Sequence, residues 1–171
     1  MIISFGSNKP DFAERCWETQ QAYADRVGVE FNRILIPPQV FPNNLKLSVI
    51  QEHGKERVLY LDWDVEVTEN ADNLFELSDR MVMFPRGGDY AKPTEWGNTG
   101  LMLGDYEDFV EMQIHYPRFY ALEDPTNYLR EENAIHQSAL ACGIEVRQLE
   151  PQGFIHHLGP GKWNGYAPVT N

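Results

Sequence analysis

The feature that most constrains this chain is a run of four apolar residues, Val58 to Leu61 in RVLYL, that stops at Asp62-Trp63-Asp64. A strand without polar alternation has both faces buried, the pattern of a largely parallel sheet covered by helices on each side. Similar short runs recur between helix-like stretches. Met1 to Phe5 reads as a strand entering the loop Gly6-Ser7-Asn8. Pro10 to Arg26 reads as a helix, with Pro10, Asp11 and Glu14 suited to its first turn and Gly28 to its stop. Val29 to Ile36 is a second strand, followed by the loop PPQVFPNN. Asn44 is placed to cap a helix through Gln51 that ends near Gly54.

Beyond Asp64, VEVTENADNLFEL begins extended and turns into a short helical segment. Arg80 to Phe84 and Thr99 to Leu103 read as strands on either side of the polar loop PRGGDYAKPTEWGN, whose length favours a functional role. Asp105 heads a helix to about His115, and Tyr116 to Tyr128 reads as irregular. Glu131 to Ala141 is a helix stopped at Gly143. Ile144 to Leu149 and Phe154 to Leu158 are strands, and GPGKWNGYAPVTN is a polar tail. Strands alternating with helices give an α/β fold: one domain over residues 1–171, Rossmann-like, with a mixed, mainly parallel sheet flanked by helices.

A chain of 171 residues is long enough for a substantial core. Its 14 basic and 26 acidic residues give a net charge of −12, which repels phosphate backbones and argues against nucleic-acid binding. An anionic ligand therefore needs a metal or a few placed cations. Cys16 and Cys142 fit buried thiols in a reducing compartment. No apolar run suits a membrane span, and the start MIISFGSNKPD lacks the export pattern, so the expected location is the cytoplasm.

Ligands of parallel sheets bind beyond the carboxyl ends of the strands, where Asp62 and Asp64 fall. Two carboxylates two residues apart point the same way in extended chain. They are suited to a hard divalent cation that leaves positions for phosphate oxygens, or to a solvated turn.

ERVLYLDWDVEV resembles the strand and D-x-D motif of A-type glycosyltransferases that use nucleotide sugars, close to the retaining galactosyl- and glucosyltransferase families. WGNTGLML resembles the Asn-x-Gly strand of these enzymes, REENAIHQSAL a helix opening with an acidic residue, and FIHHLGPGKW a late H-x-x-G-x-x-K motif. AERCWETQQAYADRVGVEF is similar to the helix and strand that precede their donor site. Lys162 meets Trp163 directly where the family usually has Pro between them, and many members are longer.

The resemblance implies an A-type fold and a donor that is a nucleotide-diphosphate sugar, UDP-sugars favoured. It implies Mn²⁺ or Mg²⁺ held by Asp62, Asp64 and His156, with Gly159 and Lys162 near the diphosphate. It implies Asn98, Gly100 and Glu132 near the sugar, and a glycan, lipid or protein as acceptor. Each residue has a plainer reading beside this one. Gly6 and Ser7 line the nucleotide or form a turn. Arg86 meets the donor or is solvated. Gly100 admits a sugar or marks a bulge, and Glu132 orients a hydroxyl or serves the helix dipole, as Glu131 does.

Two other functions fit parts of the pattern. Asp62-Trp63-Asp64-Val65 also matches the D-x-D-x-[T/V] signature of haloacid-dehalogenase-like phosphatases, in which Asp62 is a nucleophile. That reading leaves about 55 residues before its first strand and the H-x-x-G-x-x-K segment unexplained. A sugar-nucleotide binding module without turnover is the third reading.

Overall fold

The computed structural model describes residues 1–6, 11–36, 45–69, 71, 73–76, 79–85, 97–127, 129–148 and 155–157. In chain order these form β1 (Ile2–Gly6), α1 (Asp11–Val27), β2 (Phe31–Leu35), α2 (Lys46–His53), β3 (Arg57–Leu61) and β4 (Val65–Val67). A short 3-10 turn at Leu74–Glu76 leads to β5 (Met81–Pro85), β6 (Gly97–Asp105), α3 (Tyr106–Leu122), α4 (Arg130–Ala141), β7 (Val146–Gln148) and β8 (Ile155–His157). The main sheet has the order β2-β1-β3-β6-β5-β7, and β4 pairs with β8 in a small second sheet.

Within the main sheet β1 is parallel to both β2 and β3, and β5 is parallel to β7. β6 runs against both of its neighbours, β3 and β5. The expected mixed, mainly parallel α/β sheet is therefore present, and its single reversed strand is β6.

Alternate residues of each central strand enter two separate cores. Ile3, Phe5, Val58, Tyr60 and Met102 pack with Leu47, Phe109, Met112 and Ile135 from α2, α3 and α4. Ile2, Leu59, Leu61, Leu101 and Leu103 pack with Tyr23 and Ala24 of α1 and with Val65 and Val67 of β4. Covering both faces is what requires the unbroken apolar run of β3. The buried side of α1 follows the helical repeat through Ala13, Cys16, Trp17, Gln20, Tyr23 and Ala24. α1 and α4 are each followed by a glycine at positive φ, Gly28 at 72° and Gly143 at 71°, the left-handed stop that glycine reaches without a Cβ clash.

The segment after His115 departs from expectation. Instead of becoming irregular at Tyr116, α3 continues through Pro117 to Leu122. Proline there removes the backbone bond to residue 113 and normally breaks a helix. The apolar stripe continues past it, however. Phe109, Met112 and Tyr116 are buried, and Phe119 and Tyr120 pack against the same core, while Pro117 itself is on the exposed side. Tertiary burial outweighs the local preference. Asp105 does occupy the position before α3, but its carboxylate makes no cap hydrogen bond. It accepts from the Arg57 guanidinium at 2.5 Å across the β3–β6 ladder instead. The proposed cap Asn44 lies outside the described residues.

Pro117 carries a local cost with no packing in return. Pro117→Ala should therefore raise unfolding stability by about 1–3 kcal/mol in urea titration, with an unchanged m-value.

Candidate active site

Four elements open onto the carboxyl ends of β1 and β3. A helix that returns the chain between parallel strands runs against them, so α2, between β2 and β3, begins at that edge, and α4 begins there as well, with Glu131 against Lys46 and Glu132 against Asn98. The reversed strand β6 also begins there. Its register sets Leu101 opposite Leu61, and one step on, the Asp62 amide donates to the Gly100 carbonyl at 2.8 Å. Antiparallel pairing thus carries Asn98 and Gly100 to the carboxylate pair.

Asp62 to Val65 is a tight turn closed by the Val65 amide donating to the Asp62 carbonyl at 3.0 Å. Asp64 on this turn is 8% exposed. Trp63 lies against Gly6. A Cβ on Gly6 would stand 3.0 Å from the Trp63 ring, so glycine here makes room for the indole. That gives Gly6 a packing role at the strand end rather than that of a plain turn.

The Asp62 carboxylate is held from two sides. Tyr60, two residues earlier and so on the same face of the strand, donates its hydroxyl proton to Oδ1 at 2.5 Å. Lys46 at the head of α2 places Nζ 3.1 Å from Oδ1 and 3.2 Å from Oδ2. The same ammonium lies 3.2 Å from Glu131 Oε2 and donates to Thr99 Oγ1 at 3.1 Å and to the Thr99 carbonyl at 3.3 Å. Thr99 in turn donates to Glu131 Oε2 at 3.3 Å. Alongside, Asn98 donates Nδ2 to Glu132 Oε1 at 2.7 Å and accepts the Gly100 amide on Oδ1 at 2.8 Å.

Burial and charge set the protonation of this cluster. Burial opposes the Lys46 ammonium, but Asp62 and Glu131 outweigh it and raise its pKa, so the cation persists. Burial raises the Glu131 carboxyl from 4.5 to about 8, with Asp62 and Glu132 adding to the shift and Lys46 only partly offsetting it. Tyr60 is pushed well above its ordinary value by burial and then by Asp62, which keeps it a hydrogen-bond donor.

The structure brings Asp62, Asn98, Gly100 and Glu132 to one edge of the sheet, with Gly6 beside them and Asp64 on the same turn. Ser7, Arg86, Gly159 and Lys162 lie outside the described residues. His156 lies within β8, paired in register with Glu66 of β4; its side chain is outside the description. Among the described residues, no group of three His, Cys, Asp or Glu side chains is placed to hold a metal. Sequence reasoning missed Lys46 and Tyr60, and placed Glu131 only at the helix dipole. One signal for Lys46 was available: it shares a helical face with Val49 and Ile50, an unusual place for a lysine.

The architecture matches solved glycosyltransferases. A glycosyltransferase involved in glycosylating the major capsid of PBCV-1 superposes with a TM-score of 0.69 at 15% identity, over 94% of each chain. GlyE of Streptococcus pneumoniae TIGR4 gives 0.59 at 13% identity, over 88% of this chain and 45% of its own. The galactosyltransferase LgtC, in complex with donor and acceptor sugar analogues, gives 0.53 at 14% identity, over 88% of this chain and 73% of its own. The sequence matches no protein-family model and no curated protein, so the likeness is one of structure. The fold is that of these A-type glycosyltransferases.

The raised Glu131 pKa has a pH signature. The unfolded chain ionises this carboxyl near 4.5 and the folded one near 8, so the unfolded state holds fewer protons between those values. The contribution of Glu131 to stability is present below pH 4.5 and is lost as pH rises to about 8. Chemical denaturation across that window should show a Glu131→Gln variant with a flatter decline than the wild type.

Proposed function

We propose that the protein is a metal-dependent glycosyltransferase that moves a sugar from a nucleotide-diphosphate sugar to an acceptor hydroxyl with retention of configuration. A UDP-sugar is the favoured donor, and the acceptor is a glycan, lipid or protein. The observation that carries this reading is the Asp62-Trp63-Asp64 turn at the carboxyl end of β3, met there by Asn98 and Gly100 of the reversed strand in an A-type glycosyltransferase fold.

The donor set of that turn fits a hard divalent cation such as Mn²⁺ or Mg²⁺. Both ligand candidates are carboxylates, and the Tyr60 and Lys46 contacts do not use every lone pair on Asp62. Asp62 and Asp64 would hold the ion, with His156 as the third ligand that the resemblance implies. Such an ion supplies positive charge to the departing diphosphate.

The chain's own residues do the rest. Lys46 and Tyr60 fix the Asp62 carboxylate in one orientation before the donor arrives. Glu132 fixes the Asn98 amide, and the two together present polar atoms to the sugar. Lys162 is proposed at the diphosphate and Arg86 at the donor, with Ser7 and Gly159 lining the site. In the transfer the bond from the anomeric carbon to the diphosphate oxygen breaks, one to the acceptor oxygen forms, and the proton of the acceptor hydroxyl passes to the departing diphosphate.

The phosphatase reading has less support. The solved structures that share this fold are glycosyltransferases, and the signature that reading rests on is the four residues Asp62 to Val65 alone. Among the described residues, no helix is long and apolar enough to cross a membrane. A cytoplasmic location remains part of the proposal.

Thermal shift against UDP-, ADP- and GDP-sugars, with and without Mn²⁺, tests the function. The wild type should be stabilised only by donor and metal together and should turn the donor over when acceptors are supplied. Asp62→Asn and Asp64→Asn should each fold and lose that joint stabilisation. Stabilisation without turnover would instead establish the binding module. A beryllofluoride adduct on Asp62 would establish the phosphatase.

A further inference from the structure

The Asp62–Val65 turn depends on a side chain far from it in sequence. Gln20, in the middle of α1, is fully buried. Its Nε2 donates to the Asp62 carbonyl at 3.0 Å and to the Val65 carbonyl at 2.7 Å. Those carbonyls belong to the first and last residues of the turn that carries both carboxylates. The amide orientation is fixed by this chemistry, because the opposite flip would set the side-chain oxygen against two carbonyl oxygens.

Neighbouring residues of α1 continue the attachment along the following segment. Thr19 Oγ1 accepts the Val67 amide at 3.1 Å, Arg15 pairs with Glu66, and Arg26 donates to the Glu69 and Ala71 carbonyls at 2.6 and 2.8 Å. Of these α1 residues, Gln20 is the one whose bonds reach the turn itself.

We infer that Gln20 is a positioning residue. Its amide holds both ends of the Asp62–Val65 turn and so sets the direction of the two carboxylates. The role rests on the reading of that turn as the donor site. The Val65-to-Asp62 hydrogen bond closes the turn on itself, and the two bonds from a buried, helix-borne amide tie both of its ends to α1. Function needs that restriction because ligand groups must be held to about half an ångström.

Two readouts separate this role from a general loss of stability, and they also separate it from failure of the donor-site reading. The first needs no ligand. In Gln20→Met, which keeps the length of the side chain and removes both donated bonds, amide hydrogen exchange over residues 62–67 should rise at least about tenfold, with β1 and β6 unchanged. The second is affinity for UDP-glucose with Mn²⁺ by calorimetry, which should weaken about tenfold in Gln20→Met and more in Gln20→Glu, where an acceptor faces the carbonyls. Thr19→Val removes the adjacent contact to Val67 and should leave that affinity unchanged. Unchanged exchange over 62–67 in Gln20→Met would overturn the inference. So would faster exchange with wild-type affinity, or an equal affinity loss in Thr19→Val. If the wild type binds no UDP-glucose while exchange over 62–67 still rises in Gln20→Met, the donor-site reading fails and Gln20 is left as the residue that holds the turn.

Discussion

The Lys46 ammonium is the charge on which the site is assembled. It is buried, and it joins Asp62 at the end of β3, Glu131 at the start of α4 and Thr99 at the start of β6. A buried cation is tolerated only when its hydrogen-bonding capacity is met, and these partners meet it. Removing the ammonium would leave the Asp62 carboxylate without its counter-charge in a low-dielectric setting. The geometry of the strand edge is therefore coupled across four elements rather than set locally by the Asp-Trp-Asp triplet.

Coupling of this kind suits a site whose ligand brings its own charge. One cation sits among several carboxylates, and burial already pushes Glu131 towards its neutral form. On the proposed function, that surplus of carboxylates fits a divalent cation arriving with an anionic donor better than an anion arriving alone. The chain's net charge of −12 sets the same requirement at the scale of the whole molecule.

The support beneath the turn has a different character. It consists of neutral hydrogen bonds from α1, with Gln20 at the turn and Thr19 at β4. On the other side Gly6 leaves space for the Trp63 ring. The turn is thus fixed from below by polar bonds and at its side by shape.

The sequence by itself determined the elements that local chemistry dictates. The apolar run of β3 specified a strand buried on both faces, and Asp62 and Asp64 could be placed at its carboxyl end because a strand's direction is written in the chain. Gly28 and Gly143 marked helix ends because only a residue without a Cβ adopts their positive φ at no cost. Tertiary structure alone decided what depends on burial and pairing. Pro117 signals a break by local rules, yet α3 continues because the stripe from Phe109 to Tyr120 stays in the core. The reversal of β6 cannot be read from TGLML, since a fully buried apolar strand reads alike in either direction, and it is this reversal that brings Asn98 to the carboxylates. Lys46, Tyr60 and Gln20 carry no motif: apart from the apolar face that Lys46 shares, each resembles an ordinary helix or strand residue, and the packing of α1 and α2 against β3 is what turns Gln20 and Lys46 onto the turn.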